Sequence, residues 1–168
     1  MVNGSLKELY FHELGELYDS ETQKILVLAR LAEAARDPEL RAALVRHCAE
    51  ARHHLERLQL IFLHWGESHR ARRSAVLDGL VQEADNRLND PQTVPALDAA
   101  IIGLAHRIAY HEMAAYGAAH LYARWLNRMD DARLIEETLE EDGRADTRLT
   151  DIAEAYISAN EDADAASA

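Results

Sequence analysis

The 168-residue sequence predicts an all-α fold, namely a four-helix bundle in which a long crossover between helices two and three carries a short fifth helix. Alanine, leucine, glutamate and arginine are abundant, whereas the chain has only seven glycines and three prolines, which favours helices over sheets. Apolar residues recur at alternating steps of three and four in four long segments. A short turn-forming sequence joins the first segment to the second, and another joins the third to the fourth. A longer polar stretch separates the second segment from the third.

The first helix is predicted to begin after Ser5, because serine is a good N-cap and Glu8 three residues later completes a capping box. Its inward stripe includes one acidic residue. The stripe consists of Leu14, Leu17, Glu21, Ile25, Leu28 and Ala32. The helix should end near Arg36, because Asp37 can cap a new helix whose first position is Pro38.

The second helix should return antiparallel after this short link and end near Gly66. Its stripe consists of Leu44, His47, Ala51, His54, Leu58, Ile61 and Trp65. Glu50 lies one turn before His54, so their side chains can meet. A polar pair beside an apolar stripe costs free energy unless it is satisfied, and two solutions stay open, a hydrogen-bonded core or a metal.

Residues 67–93 are polar and locally basic, and the pattern in 76–88 predicts a short amphipathic helix that Pro91 follows. We interpret this segment as a crossover that lets helices two and three run parallel. The third helix should run from about Thr93 to Asn127. Its stripe consists of Ile101, Ala105, Ile108, Glu112, Ala115, Ala119, Tyr122 and Leu126.

A turn at residues 129–131, with a capping acid, should begin the fourth helix, in which Gly143 permits a local bend. Its stripe consists of Leu134, Thr138, Glu141, Ala145, Leu149, Ile152 and Tyr156. Residues 161–168 are small and acidic and are predicted to form a disordered tail. The expected organisation is therefore one bundle domain, residues 1–160, followed by that tail.

Each long helix carries a carboxylate about half-way along its inward face, so that all four could share one layer. These residues are Glu21, Glu50, Glu112 and Glu141. Two like charges ~4 Å apart repel by roughly 4 kcal/mol at an effective dielectric constant of ~20, so protons or cations must neutralise the layer. Iron or manganese would suit these oxygens together with His54. The alternative is a core in which Glu21 and Glu112 bond a tyrosine or an arginine, with Tyr18 and Tyr116 as available partners.

Composition and the absence of certain motifs disfavour several other classes of protein. The net charge of −12 disfavours nucleic-acid binding, and no run of 18 apolar residues predicts a membrane span. Cys48 is the only cysteine, so no internal disulfide can form, and with no evident signal peptide we expect a cytoplasmic setting. Catalytic triads, glycine-rich phosphate loops and cysteine-rich zinc patterns are absent from the sequence. The sequence therefore identifies no catalytic residue.

Five segments, read in order, carry a resemblance to a known family. They are residues 16–23 (ELYDSETQ), 54–58 (HLERL), 78–84 (DGLVQEA), 110–117 (YHEMAAYG) and 137–142 (ETLEED). In these segments the chain resembles the YciE/YciF family of bacterial ferritin-like proteins, which are linked to stress responses. The resemblance implies a ferritin-like bundle, a homodimer and a dinuclear metal site. The chain departs from the family at Ala109, where the family often has glutamate, and in the order of Tyr110 and His111.

Two functional hypotheses follow. In the first, Glu50 and Glu141 bridge two iron or manganese ions, Glu21, Glu112 and His54 complete the site, and the protein oxidises metal or handles peroxide. In the second, the chain is a non-catalytic structural or interaction bundle that has lost full metal binding. Ala109 and the absence of a second histidine ligand favour the second hypothesis. Asp142 or Asp146 could replace that histidine, whereas His53 is rotated outward by about 100°.

Overall fold

The computed structural model describes residues 5–91 and 93–166, with side chains described as far as residue 156. All regular structure in this part of the chain is helical, which confirms the predicted fold class. The helices are α1 (Leu6–Ala34), α2 (Pro38–His64), α3 (Ala75–Asn89), α4 (Val94–Trp125) and α5 (Met129–Ala166). None of the helices in these described ranges is both long and apolar enough to cross a membrane.

The predicted helix starts are set by local capping. Ser5 and Glu8 form the capping box of α1: the Glu8 amide donates to Ser5 Oγ at 3.2 Å, and the Ser5 amide donates to Glu8 Oε2 at 2.7 Å. Asp37 caps α2 by accepting from the Leu40 amide at 2.8 Å. Ser74 caps the crossover helix α3, so the polar stretch before it ends in a defined start signal.

Two antiparallel hairpins, α1–α2 and α4–α5, form the bundle, with α1 packed on α4, α2 packed on α5, and α3 lying across α1 and α4. At one end, Asp98 near the start of α4 accepts hydrogen bonds from the backbone amides of residues 36–37, at 2.9 and 3.0 Å. At the other end, Trp65 Nε1 after α2 donates to Asp131 in the first turn of α5 at 2.8 Å. These contacts place α2 and α4 parallel, as the long crossover predicts.

The start and length of α5 differ in detail from prediction. Met129 already belongs to the helix, so the predicted turn at 129–131 was wrong; the link is 126–128, where Asn127 adopts the left-handed conformation that asparagine tolerates. The helix runs through Gly143 to Ala166, into the segment predicted as a tail. Residues 167–168 lie outside the described residues, and the division at residue 160 stays a prediction.

Two apolar clusters fill the bundle, one on each side of its middle. The first includes Leu28, Leu31, Leu40, Leu44, Ile101, Ile108, Leu149 and Ile152. The second includes Tyr10, Leu14, Leu17, Leu58, Ile61, Tyr116, Ala119 and Ile135. Between them lies a buried layer of polar side chains, which we call the charged layer. It consists of Ser20, Glu21, Lys24, His47, His54, Glu112 and Asp142.

Gly15 holds the crossover against α1. The Arg72 amide donates to the Gly15 carbonyl at 2.8 Å, so the residues before α3 run directly over the helix. A Cβ atom at position 15 would lie 2.8 Å from the Arg70 carbonyl oxygen and 3.1 Å from Arg72 Cβ. A glycine is therefore needed here because two backbones approach too closely for any side chain.

We expect Gly15→Ala to destabilise the protein by roughly 1–2 kcal/mol, because the added methyl group must push the crossover backbone away from α1. The matched control is Gly79→Ala in α3, where an added Cβ meets nothing within 4 Å. That change should stabilise the protein by about 0.5–1 kcal/mol through helix propensity. Urea unfolding measures both, and equal stabilisation by the two alanines would contradict the proposed role of Gly15.

Candidate functional site

The charged layer contains three of the five residues predicted to bind metal. Glu21 on α1, His54 on α2 and Glu112 on α4 are all fully buried in it. From α5 the layer receives Asp142, which is fully buried, whereas the predicted Glu141 beside it stays partly exposed. All four long helices thus place a ligand-type side chain at one level of the bundle.

Lys24 occupies the centre of the layer, one turn after Glu21 on α1, and is itself fully buried. Its Nζ atom lies 2.9 Å from Glu21 Oε2 and 3.5 Å from Asp142 Oδ1, and it also contacts Glu112 Oε2. A further contact of 3.4 Å joins Nζ to His54 Nδ1. The chain therefore supplies a cation to its own buried carboxylates.

Two hydroxyl groups complete the bonding of the central glutamates. Tyr116 Oη donates to Glu21 Oε1 at 2.8 Å, and Ser20 Oγ donates to Glu112 Oε1 at 3.1 Å. Tyr116 thus acts as the carboxylate partner that the hydrogen-bonded alternative predicts. Tyr18, the other tyrosine considered, lies outside the layer and accepts from the Gln59 side chain at 3.0 Å.

The two histidines of the α2 stripe both enter the layer. His54 Nδ1 lies 2.9 Å from Glu21 Oε1, and His54 Nε2 lies 3.0 Å from Glu141 Oε2. Two turns earlier on α2, His47 Nε2 lies 3.4 Å from Asp142 Oδ1. Both imidazoles are therefore held by carboxylates, and His54 links the buried centre of the layer to its rim.

Arginine side chains hold the remaining two predicted ligands at the edge of the bundle. Arg57 binds both oxygens of Glu141, each at 2.7 Å, and this hydrogen bonding lowers the pKa of Glu141. Arg148 binds both oxygens of Glu50 at 2.9 and 2.8 Å. Glu50 therefore pairs across to α5 instead of meeting His54 one turn away on its own helix.

Three further positions considered from the sequence do not join the layer. His53 is exposed, as its rotation predicts, and lies 3.2 Å from Glu56 Oε2. Asp146 pairs with His106 on α4. Ala109 is fully buried, so the position at which the resembled family often has glutamate contributes only a methyl group to the core.

Electrostatics divides the buried carboxyls into two kinds. Burial by itself raises the pKa of Glu21 and Asp142, but the Lys24 ammonium together with the neighbouring histidines outweighs it, so both pKa values lie below their ordinary range. Burial also raises the pKa of Glu112, and there the charge of Glu21 adds to the effect, so that its pKa lies well above the ordinary range. Within one layer, the ionised form is therefore favoured at Glu21 and Asp142 and disfavoured at Glu112.

The charge on Lys24 is held firmly. Burial lowers the pKa of the ammonium, but Asp142, Glu112 and Glu21 together raise it well above its ordinary value. For His47, desolvation lowers the pKa, so this imidazole is neutral at pH 7. The cation of the layer at neutral pH is therefore a lysine whose positive charge three acidic side chains stabilise.

The sequence contained a signal for Lys24 that the prediction did not use. The steps Leu17, Glu21, Lys24 and Leu28 alternate by four and three, so a continuous stripe passes through the lysine, whereas the predicted stripe passed through Ile25. Asp142 was considered only as a substitute ligand. A regular stripe also passes through it, because Thr138, Asp142, Ala145 and Leu149 follow one another at steps of four, three and four and are all buried, whereas the predicted stripe passed through Glu141.

Among the described residues, one group of three ligand-type side chains has the spacing of a metal site. Glu21, His54 and Asp142 offer ligand atoms that all lie within 4.8 Å of one another, a spacing compatible with a single cation. Lys24 Nζ contacts all three of these side chains, so an ion would need the space that the ammonium fills. The dinuclear arrangement does not fit, because the two carboxylates predicted to bridge the ions are bound by arginines at the rim.

Comparisons with known proteins agree with this architecture. A family model described as "Domain of unknown function (DUF892)" matches residues 5–162. The chain is 29% identical to Protein YciF of Escherichia coli (strain K12) over 150 residues, which cover 89% of this chain and 90% of that protein.

Solved structures show the same similarity. The crystal structure of the E. coli stress protein YciF superposes with a TM-score of 0.88 at 28% identity, covering 92% of this chain and 98% of that one. YcfI from Rhodopseudomonas palustris, for which a structural role has been suggested, gives 0.85 at 29% identity, covering 88% and 94%. A protein from Xanthomonas campestris pv. campestris gives 0.70 at 17% identity, covering 94% and 99%, which shows the shared fold alone.

We expect Glu112→Gln to stabilise the protein at pH 8 but not at pH 4. The raised pKa of Glu112 means that the folded state disfavours the ionised carboxyl, so its contribution is complete below the unfolded pKa and is lost as the pH rises through the folded value. The amide removes this cost, about 1.4 kcal/mol for each unit of pKa shift. Urea unfolding between pH 4 and pH 8 measures the difference.

Glu21→Gln provides the matched comparison with the opposite sign. Because the pKa of Glu21 is lowered, its stabilisation is complete above the unfolded pKa and disappears as the pH falls through the folded value. We therefore expect a loss of roughly 3–5 kcal/mol at pH 7 that shrinks in acid, as for other broken buried ion pairs. Equal losses for the two glutamine variants at pH 8 would contradict this assignment of charges.

Proposed function

The chain belongs to the DUF892 family, whose model spans residues 5–162, and on this premise we propose that it is a stress-related bundle with a structural role rather than a catalytic one. The stress-related part of the proposal is supported by similarity to the E. coli stress protein YciF along 92% of the chain. The suggested structural role of the R. palustris neighbour supports the second part.

One observation carries the choice of a structural role. Every carboxylate of the predicted dinuclear set already contacts a cationic side chain of the same chain. Lys24 contacts Glu21 and Glu112, Arg57 binds Glu141, and Arg148 binds Glu50. A redox site needs ligands that are free to bind an ion and an open position for the oxidant. In the described part of the chain, these four carboxylates are instead paired with lysine or arginine.

The same contacts suit a structural role. The charged layer joins all four long helices, so sliding any one helix by a turn would separate a buried carboxylate from its cation. Breaking one partner of a buried ion pair costs roughly 3–5 kcal/mol, and buried polar residues are known to fix the register of packed helices. The layer therefore specifies the alignment of the helices as well as contributing to their association.

A single-ion site is the second candidate, and a separate observation favours it. Glu21, His54 and Asp142 have ligand atoms within 4.8 Å of one another, and no described donor bonds the buried Asp142 Oδ2. In this alternative these three side chains would hold iron or manganese after Lys24 had withdrawn. Such an ion, when bound, supplies one-electron chemistry suited to metal oxidation or peroxide handling.

We also propose that two copies associate along α4. This helix is apolar on its outer face too, where Tyr110, Leu121 and Trp125 are 54%, 43% and 65% exposed. Its only two acidic residues, Asp98 and Glu112, are fully buried. In a chain of net charge −12, two copies can therefore meet along this face without repulsion between carboxylates.

An antiparallel pairing of α4 with α4 suits this face. The exposed Ala114 and Gly117 lie midway between Tyr110 and Leu121, so two helices can approach closely at their centres. Around a two-fold axis at that point, Tyr110 of each copy would pack against Leu121 of the partner subunit. The large side chains would then flank a centre of small ones.

For the structural role we expect no effect of metal removal. Protein purified without added metal should contain no stoichiometric iron or manganese by elemental analysis, and a chelator should leave the thermal midpoint unchanged. Addition of ferrous iron should produce no peroxide consumption above that of free iron. A stoichiometric ion whose removal lowers the midpoint would reject the structural role and favour the single-ion candidate.

For the dimer we expect Leu121→Glu to produce monomers, because it places a carboxylate in the middle of an apolar contact. The matched control is Leu26→Glu on α1, where the leucine is 64% exposed away from α4 and the dimer should persist. Sedimentation equilibrium over micromolar concentrations distinguishes the two. A monomeric wild-type protein, or equal dissociation by both changes, would exclude α4 as the interface.

A further inference from the structure

Four helices direct polar groups at one ammonium ion. Lys24 Nζ contacts Glu21 on its own helix, His54 on α2, Glu112 on α4 and Asp142 on α5. Carboxylate oxygens and an imidazole nitrogen gathered from separate helices around one point of positive charge form the environment that bundle proteins give to metal ions. Here the positive charge at that point is part of the polypeptide.

The dimensions of the layer are close to those of a metal site. Lys24 Nζ lies 2.9–3.5 Å from the nearest atoms of Glu21, His54 and Asp142, whereas a first-row metal ion binds oxygen or nitrogen at ~2.1 Å. Ligands on opposite sides of such an ion are separated by about 4.2 Å, and the atoms of Glu21, His54 and Asp142 already lie within 4.8 Å of one another. If these ligand atoms moved by about 1 Å, the group that now surrounds the Lys24 ammonium could bind a metal ion.

An independent observation is that one carboxylate oxygen in the charged layer is not used by any hydrogen-bond donor of the described residues. Asp142 is fully buried, and none of the described residues donates a hydrogen bond to its Oδ2 atom. Buried carboxylate oxygens are normally bonded, because an unsatisfied one keeps its full desolvation cost. A divalent ion in place of the ammonium could bind both oxygens of this carboxylate, which the single contact to Lys24 does not use.

We propose that Lys24 is the resident cation of a latent divalent-metal site, so that its ammonium excludes metal from the wild-type protein and its removal allows one ion to bind Glu21, His54 and Asp142. A lysine suits this position because its ammonium is a compact charge with three donors, whereas a planar guanidinium needs more room. The ammonium is held there by its contacts with Glu21, Glu112 and Asp142.

This inference goes beyond the proposed structural role, and either can fail without the other. The chain has only two lysines, Lys7 and Lys24, which provides a matched pair of substitutions. Lys24→Met removes the charge and keeps the length of the side chain, whereas Lys7→Met makes the same change at an exposed position. Each protein is dialysed against Co²⁺, whose visible spectrum reports ligand number and geometry, and its cobalt content and thermal midpoint are measured.

We expect about one Co²⁺ per chain in Lys24→Met, with a new visible absorption and a rise in thermal midpoint on the order of 5 °C. The wild type and Lys7→Met should show neither change. Adding Asp142→Asn to Lys24→Met should abolish the absorption, because it removes one of the three ligands. Cobalt bound with the same spectrum by the wild type would overturn the claim that Lys24 excludes metal.

A folded Lys24→Met variant that binds no Co²⁺ would overturn the latent site while leaving the structural role intact. If this variant unfolds without metal, recovery of its helical circular dichroism with Co²⁺ supports the proposal, since metal binding then drives folding. Lys24→Gln, which keeps a hydrogen-bond donor, is the milder second variant. Failure of both variants to fold with Co²⁺ present would contradict the proposal, because an ion that fits must replace the lost charge.

Discussion

The structure depends on one buried ammonium ion and the carboxylates around it. An unneutralised layer of acids inside a helical bundle would drive the helices apart, because repulsion between charges is strong where water is excluded. Lys24 removes much of that penalty by contacting Glu21, Glu112 and Asp142 at once, and the raised pKa of Glu112 shows that its ionised form is the least favoured of the three. The central region can therefore be both charged and dry, and the apolar clusters pack on either side of it.

The cations of the bundle are distributed according to their shape. At the rim, Arg57 binds Glu141 through two parallel hydrogen bonds from two nitrogens, and one terminal nitrogen of Arg148 donates to both oxygens of Glu50. At the centre, where acceptors approach from several directions, the cation is a lysine. The arginines draw two glutamates out of the interior and so reduce the number of acids that the single ammonium must neutralise.

Alignment of the helices is specified at three levels along the bundle. Asp98 binds the α1–α2 turn at one end, Asp131 binds the end of α2 at the other, and the charged layer joins all four helices between them. These polar contacts form in only one alignment of the helices, so they add to the register that apolar packing already favours. A rigid bundle of this kind suits a structural role, and its similarity to the E. coli stress protein YciF extends over almost the whole chain.

The sequence by itself determined the helices, their order and the level at which polar groups meet, because helical periodicity and caps are local. Ser5, Asp37 and the inward positions of Glu21, His54 and Glu112 follow directly from it. Only the tertiary structure decided which cation neutralises the layer, since Lys24 acts on residues of three other helices. It also decided that arginines hold Glu141 and Glu50 at the rim, because Arg57 and Arg148 lie 84 and 98 positions away on other helices and no local pattern connects them.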